Sequence, residues 1–204
     1  MKKTDVFQLL RNRQSQLLGY NQYKKSAVLI PLIDIDNKTH ILFEVRSMTL
    51  RSQPGDICFP GGRMDATDES PKHTAIRETS EELGIEQNHV TDVIPLDYYV
   101  GEQRIIYPFI GTIKHPEQIT PFSGEVAEIF TVPLDFFLTT KPKKYNVHFE
   151  VVPEENFPFD QIVGGKDYNW HVQHIEELFY EYEGRVIWGL TAKILTHFLA
   201  LIRT

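Results

Sequence analysis

One cysteine in 204 residues, Cys58, excludes an intramolecular disulfide and a zinc cluster built on several thiolates. That fits a reducing compartment, and a cytoplasmic chain is the expectation. Long apolar runs are equally scarce. No stretch approaches the ~20 apolar residues that a membrane helix requires. The opening MKKTDVFQLLRNRQSQLL starts like a secretory leader, but Asp5, Gln8, Arg11 and Arg13 interrupt it. Positive charge is in deficit: 21 Lys and Arg face 28 Asp and Glu, for a net charge of −7. A broad nucleic-acid surface needs a basic face, so that class of partner is excluded, while a local patch for a small anion is not. Repeats, low-complexity tracts and linkers are missing as well.

What remains is an ordinary globular composition, 41% apolar and 12% aromatic, in a chain long enough for one buried core and short for two. We read residues 1–204 as a single domain. Val6, Leu9, Leu10, Leu17 and Leu18 lie at roughly helical spacing and predict an amphipathic helix over 4–18, inside an N-terminal extension of residues 1–25. SAVLIPLID (26–34) and HILFEVR (40–46) predict two strands joined by the turn DNK. HVTDVIPLDYYV, RIIYPFIGTI and AEIFTVPLDFFL predict more, the last becoming helical at Pro133. Residues 139–172 predict an irregular insertion, a hairpin turning at Gly164-Gly165. Residues 185–202 predict a largely buried closing helix. Strands and helices mixed around one sheet make this an α/β protein, an α/β/α sandwich.

The loop RSQPGDICFPGGRMDATDES (51–70) is punctuated by Pro54, Gly55, Pro60, Gly61 and Gly62, and a loop this long in a compact domain is usually functional. After it, Ser70 as N-cap, Pro71 at the first helical position and Gly84 past the last turn bound a helix. On that helix Glu78, Glu81 and Glu82 stand at i, i+3 and i+4, with Cβ atoms roughly 5–6 Å apart on one face. Carboxylates that close repel, so either the face is plainly solvated or cations sit among them. Hard oxygen donors suit Mg²⁺ or Mn²⁺. Arg77 can hold one carboxylate by a bidentate pair. On the opposite face Ala75, Ile76, Thr79 and Leu83 would pack on the sheet. Gly61-Gly62 lets the backbone approach a ligand, so a loop carbonyl such as that of Gly62 can join the donors.

These residues spell a known pattern. GG…E…REtsEElGi resembles the Nudix box, G-x5-E-x7-R-E-U-x-E-E-x-G-U, with Glu69, Arg77, Glu78, Glu81, Glu82, Gly84 and Ile85 on its fixed positions. Six residues rather than five separate Gly62 from Glu69, so Asp68 is an alternative to Glu69, and Thr79 replaces the usual aliphatic residue. The resemblance implies a mixed sheet between helices and hydrolysis of a nucleoside diphosphate linked to another group. It also implies divalent cations, Mg²⁺ or Mn²⁺, held by the box glutamates.

Upstream, ILFEVRSMTLRSQPGDICFPGG resembles the signature of the coenzyme A pyrophosphatase branch, L-L-T-x-R-[SA]-x3-R-x3-G-x3-F-P-G-G. Arg46, Ser47, Arg51, Gly55, Phe59, Pro60, Gly61 and Gly62 match it, and Ile41 to Glu44 depart from its opening. The substrate so implied is coenzyme A or a derivative, yielding 3′,5′-ADP and 4′-phosphopantetheine. ADP-ribose, NADH or a dinucleoside polyphosphate is the alternative, and a non-catalytic binding module the rival from another class. The ligands expected are Glu78, Glu82, Glu81 and Gly62, with Arg77 orienting them. Glu81, Glu69 and Glu128 are candidate general bases; Glu128 and nearby Glu125 lie in GEVAEIF. Arg46 and Arg51, with Gly61 and Gly62, are candidates to grip phosphate, the arginines' plainer reading being surface charge or a bridge to Asp56 or Glu44. Cys58 and Phe59 read as packing residues and His73 as a surface one. A small nucleotide is the expected partner, with neither nucleic acid nor membrane, and a homodimer is compatible with the chain.

Overall fold

The computed structural model describes residues 1–101, 103–170 and 173–203. Its centre is β1 (Lys24–Ile35), a nearly unbroken apolar run because both of its faces are covered. Ala27, Leu29 and Ile33 point into one core, Val28, Ile30 and Leu32 into another. β1 runs antiparallel to β2 (Lys38–Arg46) and parallel to β7 (Arg104–Ile113), in register from Lys24 opposite Arg104 to Leu32 opposite Thr112, so the sheet is mixed. β3 (Ile57–Cys58) and β8 (Val126–Pro133) both pair with β2. β4 (Gly61–Arg63) pairs with β1, and β5 (Val90–Pro95) and β6 (Tyr99–Val100) pair with β7.

Helices close both faces. α2 (Pro71–Leu83) brings Ala75 and Leu83 against Ala27, Leu29 and Leu42. Ser70 Oγ accepts the His73 N–H at 3.2 Å, and Gly84, at φ +64°, turns the chain out of the helix. α4 (Gly189–Ile202) brings Ala192, Leu195, Phe198 and Leu199 against Ile30, Ile41 and Phe43 on the other face. A second, three-stranded sheet of β9 (Lys143–Phe149), β10 (Gln173–Tyr182) and β11 (Arg185–Trp188) adds Leu178, Tyr180 and Ile187 to that core. Between β8 and β9 lies the short α3 (Leu134–Thr139). Among the described residues no helix is long and apolar enough to cross a membrane.

The fold departs from the sequence expectations in four places. The closing helix begins only at Gly189: Arg185, Val186, Ile187 and Trp188 form β11, entered by a turn through Glu183 and Gly184 at positive φ. The first helix, α1 (Lys3–Leu10), stops well before residue 18 and has no buried residue, so nothing packs on it to extend so marginal a helix. HVTDVIPLDYYV is two strands, parted after Pro95. The insertion is a wide hairpin whose arms are β9 and β10, closing where Phe149 pairs with Gln173; Gly164-Gly165 turns a 3₁₀ segment inside it. Residues 171 and 172 of the expected insertion lie outside the described residues.

Candidate active site

β4 anchors the glycines. Gly62 and Gly61 stand opposite Ala27 and Val28 on β1, where a Cβ on Gly61 would strike the Ala27 carbonyl. The other flank of this three-residue strand meets α2. Gly61 donates its N–H to Glu82 Oε2 at 2.7 Å, and a Cβ on Gly62 would land on the Glu78 carboxylate. Only glycine lets residue 61 lie this close to β1 and residue 62 this close to Glu78.

The three box carboxylates have three different environments. Glu82 is 4% exposed. Burial, then the charge of Glu44, pushes its carboxyl up to about 9, against the stabilising Gly61 N–H. Glu78 is half-buried and sits 2.9 Å from Arg77 Nη2; burial raises it, and Arg77 opposes the rise. Glu81 is mostly in solvent and pairs with Arg77 Nη1 at 3.2 Å. Glu78 and Glu81 thus lean on the arginine, and among the described residues no three His, Cys, Asp or Glu side chains converge on a metal-sized point.

Asp68, not Glu69, holds Arg77. A turn from Asp65 to Asp68 aims Asp68 inward, its N–H bonded to the Asp65 carbonyl and its carboxylate accepting the Asp65 N–H. The Asp68 carboxylate, fully buried, also accepts from Arg77 Nε at 3.0 Å, Arg77 Nη2 at 2.9 Å and Thr74 Oγ1 at 2.9 Å. The Arg77 guanidinium holds it well below the usual carboxylate range, and Asp68 in turn raises Arg77. His73 Nδ1 lies 3.0 Å from Asp68 Oδ1, so His73 belongs to this cluster rather than to plain surface. Glu69, the next residue along, points outward and is exposed.

A further acid, read from the sequence only as a bridging partner for the arginines, is buried in the sheet. Glu44 on β2 is 1% exposed, and burial pushes it up to about 7. Cys58 Sγ donates to its Oε1 at 3.2 Å, while Oε2 has no partner among the described residues. Burial and the neighbouring Glu44 charge push the Cys58 thiol up, which keeps it protonated and no nucleophile. In HILFEVR the acid stands between Phe43 and Val45, and a charge in so apolar a strand is either exposed or matched by a partner.

Glu128 is a correction. It stands opposite Val45 in the β2–β8 register, on the α4 side of the sheet, and its carboxylate pairs with Arg185. Strand alternation therefore turns it away from α2. Glu125, at the mouth of β8, is the loop carboxylate whose charge reaches Glu44, Glu78 and Glu82. The two arginines separate as well. Arg46 lines a cavity of about 260 Å³ together with Asp56, Cys58, Arg104 and Trp188, and reaches the Ser52 carbonyl at 3.4 Å. Arg51 is exposed on the loop outside it. Arg104, at the start of β7, carries no sequence signal that would single it out.

The donor chemistry fits a hard divalent cation: buried carboxylate oxygens, one without a partner, beside a glycine strand with no side chain in the way. A NUDIX domain model matches residues 23–154. The chain is 41% identical over 115 residues to the peroxisomal coenzyme A diphosphatase NUDT7 of Mus musculus, a match covering 56% of this chain and 49% of that protein. It therefore spans about half the length of that relative. It is 32% identical over 182 residues to the mitochondrial coenzyme A diphosphatase NUDT8 of Homo sapiens, covering 87% of this chain and 69% of that one. A crystal structure of a MutT/nudix family protein from Enterococcus faecalis has a TM-score of 0.51 at 12% identity over 99% of this chain and 70% of that chain, a likeness of fold alone. The acidic helix, the glycine strand pressed against it and a family match over most of the chain have one reading in common, and the chain belongs to the Nudix family of hydrolases.

Proposed function

We propose that this chain hydrolyses the pyrophosphate of coenzyme A or a close derivative to 3′,5′-ADP and 4′-phosphopantetheine, with Mg²⁺ or Mn²⁺. The observation that carries the reading is the shared wall at Cys58, which lines the Arg46–Arg104 cavity and donates to Glu44 of the carboxylate cluster. A polyanion in the cavity would lie beside the residues that hold cations. The relatives named as coenzyme A diphosphatases supply the substrate class.

Bound cations would supply charge neutralisation and a water of lowered pKa. The chain's own part is positioning. Glu82 and Glu78, with the Gly62 carbonyl, would hold the cations, and Arg77, clamped by Asp68, fixes the helix face from which those acids project. The water oxygen bonds to one phosphorus as the bridging P–O bond breaks, and the bridging oxygen leaves on the other phosphate. Glu81 or Glu125 would take the water's proton. Arg46 and Arg104 would fork onto phosphate oxygens in the cavity.

Turnover of a panel of coenzyme A, ADP-ribose and NADH with Mg²⁺ or Mn²⁺ tests the reading. Coenzyme A should be cleaved best; cleavage of the other two with coenzyme A left intact gives the site to another Nudix specificity. No turnover of any of them leaves a binding module. Arg46→Ala is expected to lower kcat/KM for coenzyme A roughly 10- to 150-fold, the worth of a charge-assisted contact. Dephospho-coenzyme A, which lacks the 3′-phosphate, should lose much less if Arg46 reads that group, and as much if it grips the pyrophosphate. An unchanged kcat/KM on both removes Arg46 from the site.

Gly62→Ala probes the other side. The atom it would strike is the end of a flexible Glu78 side chain, so the fold should survive and Glu78 should move. Misplacement by about 1 Å costs on the order of 10²-fold. We expect a loss of kcat of that order with an unchanged circular dichroism spectrum. Wild-type kcat would mean that Glu78 works from another position.

A further inference from the structure

Glu44 belongs to no Nudix box position, and the signature that its strand resembles has threonine where it stands. Nothing in the reaction as written above uses it. Yet it is 1% exposed, and one of its two carboxylate oxygens has no hydrogen-bond partner among the described residues. An uncompensated buried carboxylate oxygen is costly, and folds retain one where something else completes it.

Its direction follows from the strand. Leu42, two residues back, packs with Ala75 and Leu83 of α2, and Ile129, opposite Glu44 in the β8 register, packs into the same core. Glu44 therefore projects toward α2, where Glu82 is the other buried acid. Its Oε1 is turned to Cys58 on β3, next to it across the ladder, which leaves Oε2 free. Around these two acids the partners present are one thiol and the Gly61 N–H, both neutral donors. Of the cations nearby, Arg77 is committed to Asp68, Glu78 and Glu81, and Arg46, whose charge reaches Glu44, is turned to the Ser52 carbonyl.

We propose that Glu44 is a further ligand of the divalent-cation site, its free Oε2 supplying from the sheet a donor that Glu82 and Glu78 supply from the helix. The inference rests on the metal-dependent reading above and deepens it. Two acids from different elements facing one ion would lock α2 to β2, and an extra anionic oxygen strengthens the hold on a hard cation. The charge of Glu44 reaches Glu82, which supports their proximity.

Mn²⁺ binding to the chelator-treated full chain, followed by electron paramagnetic resonance and calorimetry with no substrate present, is the test. Glu44→Gln keeps the side-chain shape and removes the anion, and Glu44→Thr installs the signature residue should the amide not fold. Either folded variant should bind Mn²⁺ at least tenfold more weakly, or bind fewer ions per chain. Its metal-free melting temperature should hold or rise, because a buried charge is gone. Wild-type Mn²⁺ affinity and stoichiometry in a folded variant overturn the inference, and so does a lower metal-free melting temperature with unchanged Mn²⁺ binding, which marks Glu44 as a partner for Cys58 only. A wild-type chain that binds no Mn²⁺ overturns the metal-dependent reading and this inference with it, so the two failures are distinguishable.

Discussion

Glu82→Gln is expected to lower kcat by on the order of 10²-fold or more at saturating Mg²⁺, comparable with removing an electrostatic stabiliser from an active site. The amide keeps an acceptor for the Gly61 N–H, so the strand–helix contact survives and the loss isolates the charge. The metal-free protein should melt no lower than wild type, since the substitution takes a carboxylate out of a 4% exposed position beside Glu44. Millimolar Mg²⁺ or Mn²⁺ should raise the melting temperature of wild type by linkage and raise that of the variant much less. Near-normal turnover in the variant would place the working cations elsewhere.

Asp68→Ala should be the most damaging change to stability near the site. It strips Arg77, 16% exposed, of its buried partner, leaves Thr74 Oγ1 only its longer bond to the Ser70 carbonyl and orphans the Asp65 N–H. Removing one member of a buried pair costs about 3–5 kcal/mol. The lower end is expected here, because Glu78 and Glu81 still hold the guanidinium. For a domain of this size about 3 kcal/mol corresponds to a fall of roughly 6–12 °C in melting temperature. Glu69→Ala, next door and exposed, should change stability by less than about 0.5 kcal/mol. The pH dependence has a definite sign. A carboxyl held below its unfolded range, about 3.9, stabilises the fold above that pH and loses the contribution as pH falls through the depressed native value. Wild type should lose its advantage over Asp68→Asn in strong acid. Equal melting temperatures for wild type and Asp68→Ala at pH 7 would show that Arg77 is oriented by the glutamates alone.

Much of this architecture is legible in local chemistry. Ser70, Pro71 and Gly84 mark α2 to the residue, because caps act through bonds within one turn. The i, i+3, i+4 acids and the Gly61-Gly62 pair locate the site because helix periodicity and glycine geometry are short-range properties. What escaped the sequence is what depends on distant partners. Val186 to Trp188 are read as helix by their apolar content, but β10 supplies the ladder that makes them a strand. Glu125 and Glu128 differ by three positions, and only the β2 register, slipped between Val45 and Arg46, decides which faces the acids. Asp68 wins over Glu69 through a four-residue turn that spacing alone does not reveal. Glu44 was visible as a charge among apolar neighbours, yet its burial depends on Cys58 and α2 closing over it.

The pairing of Phe149 with Gln173 has an evolutionary consequence. The chain leaves the β9–β10 ladder and returns to it at one rung, so the excursion between them closes on itself. Its length can drift, by insertion or deletion, without changing the register of β10 or the path of the chain through β11 into α4. The carboxylates, on the far face of the other sheet, are insulated from such drift. That excursion is where the chain is freest to change in length while the carboxylate cluster stays as it is.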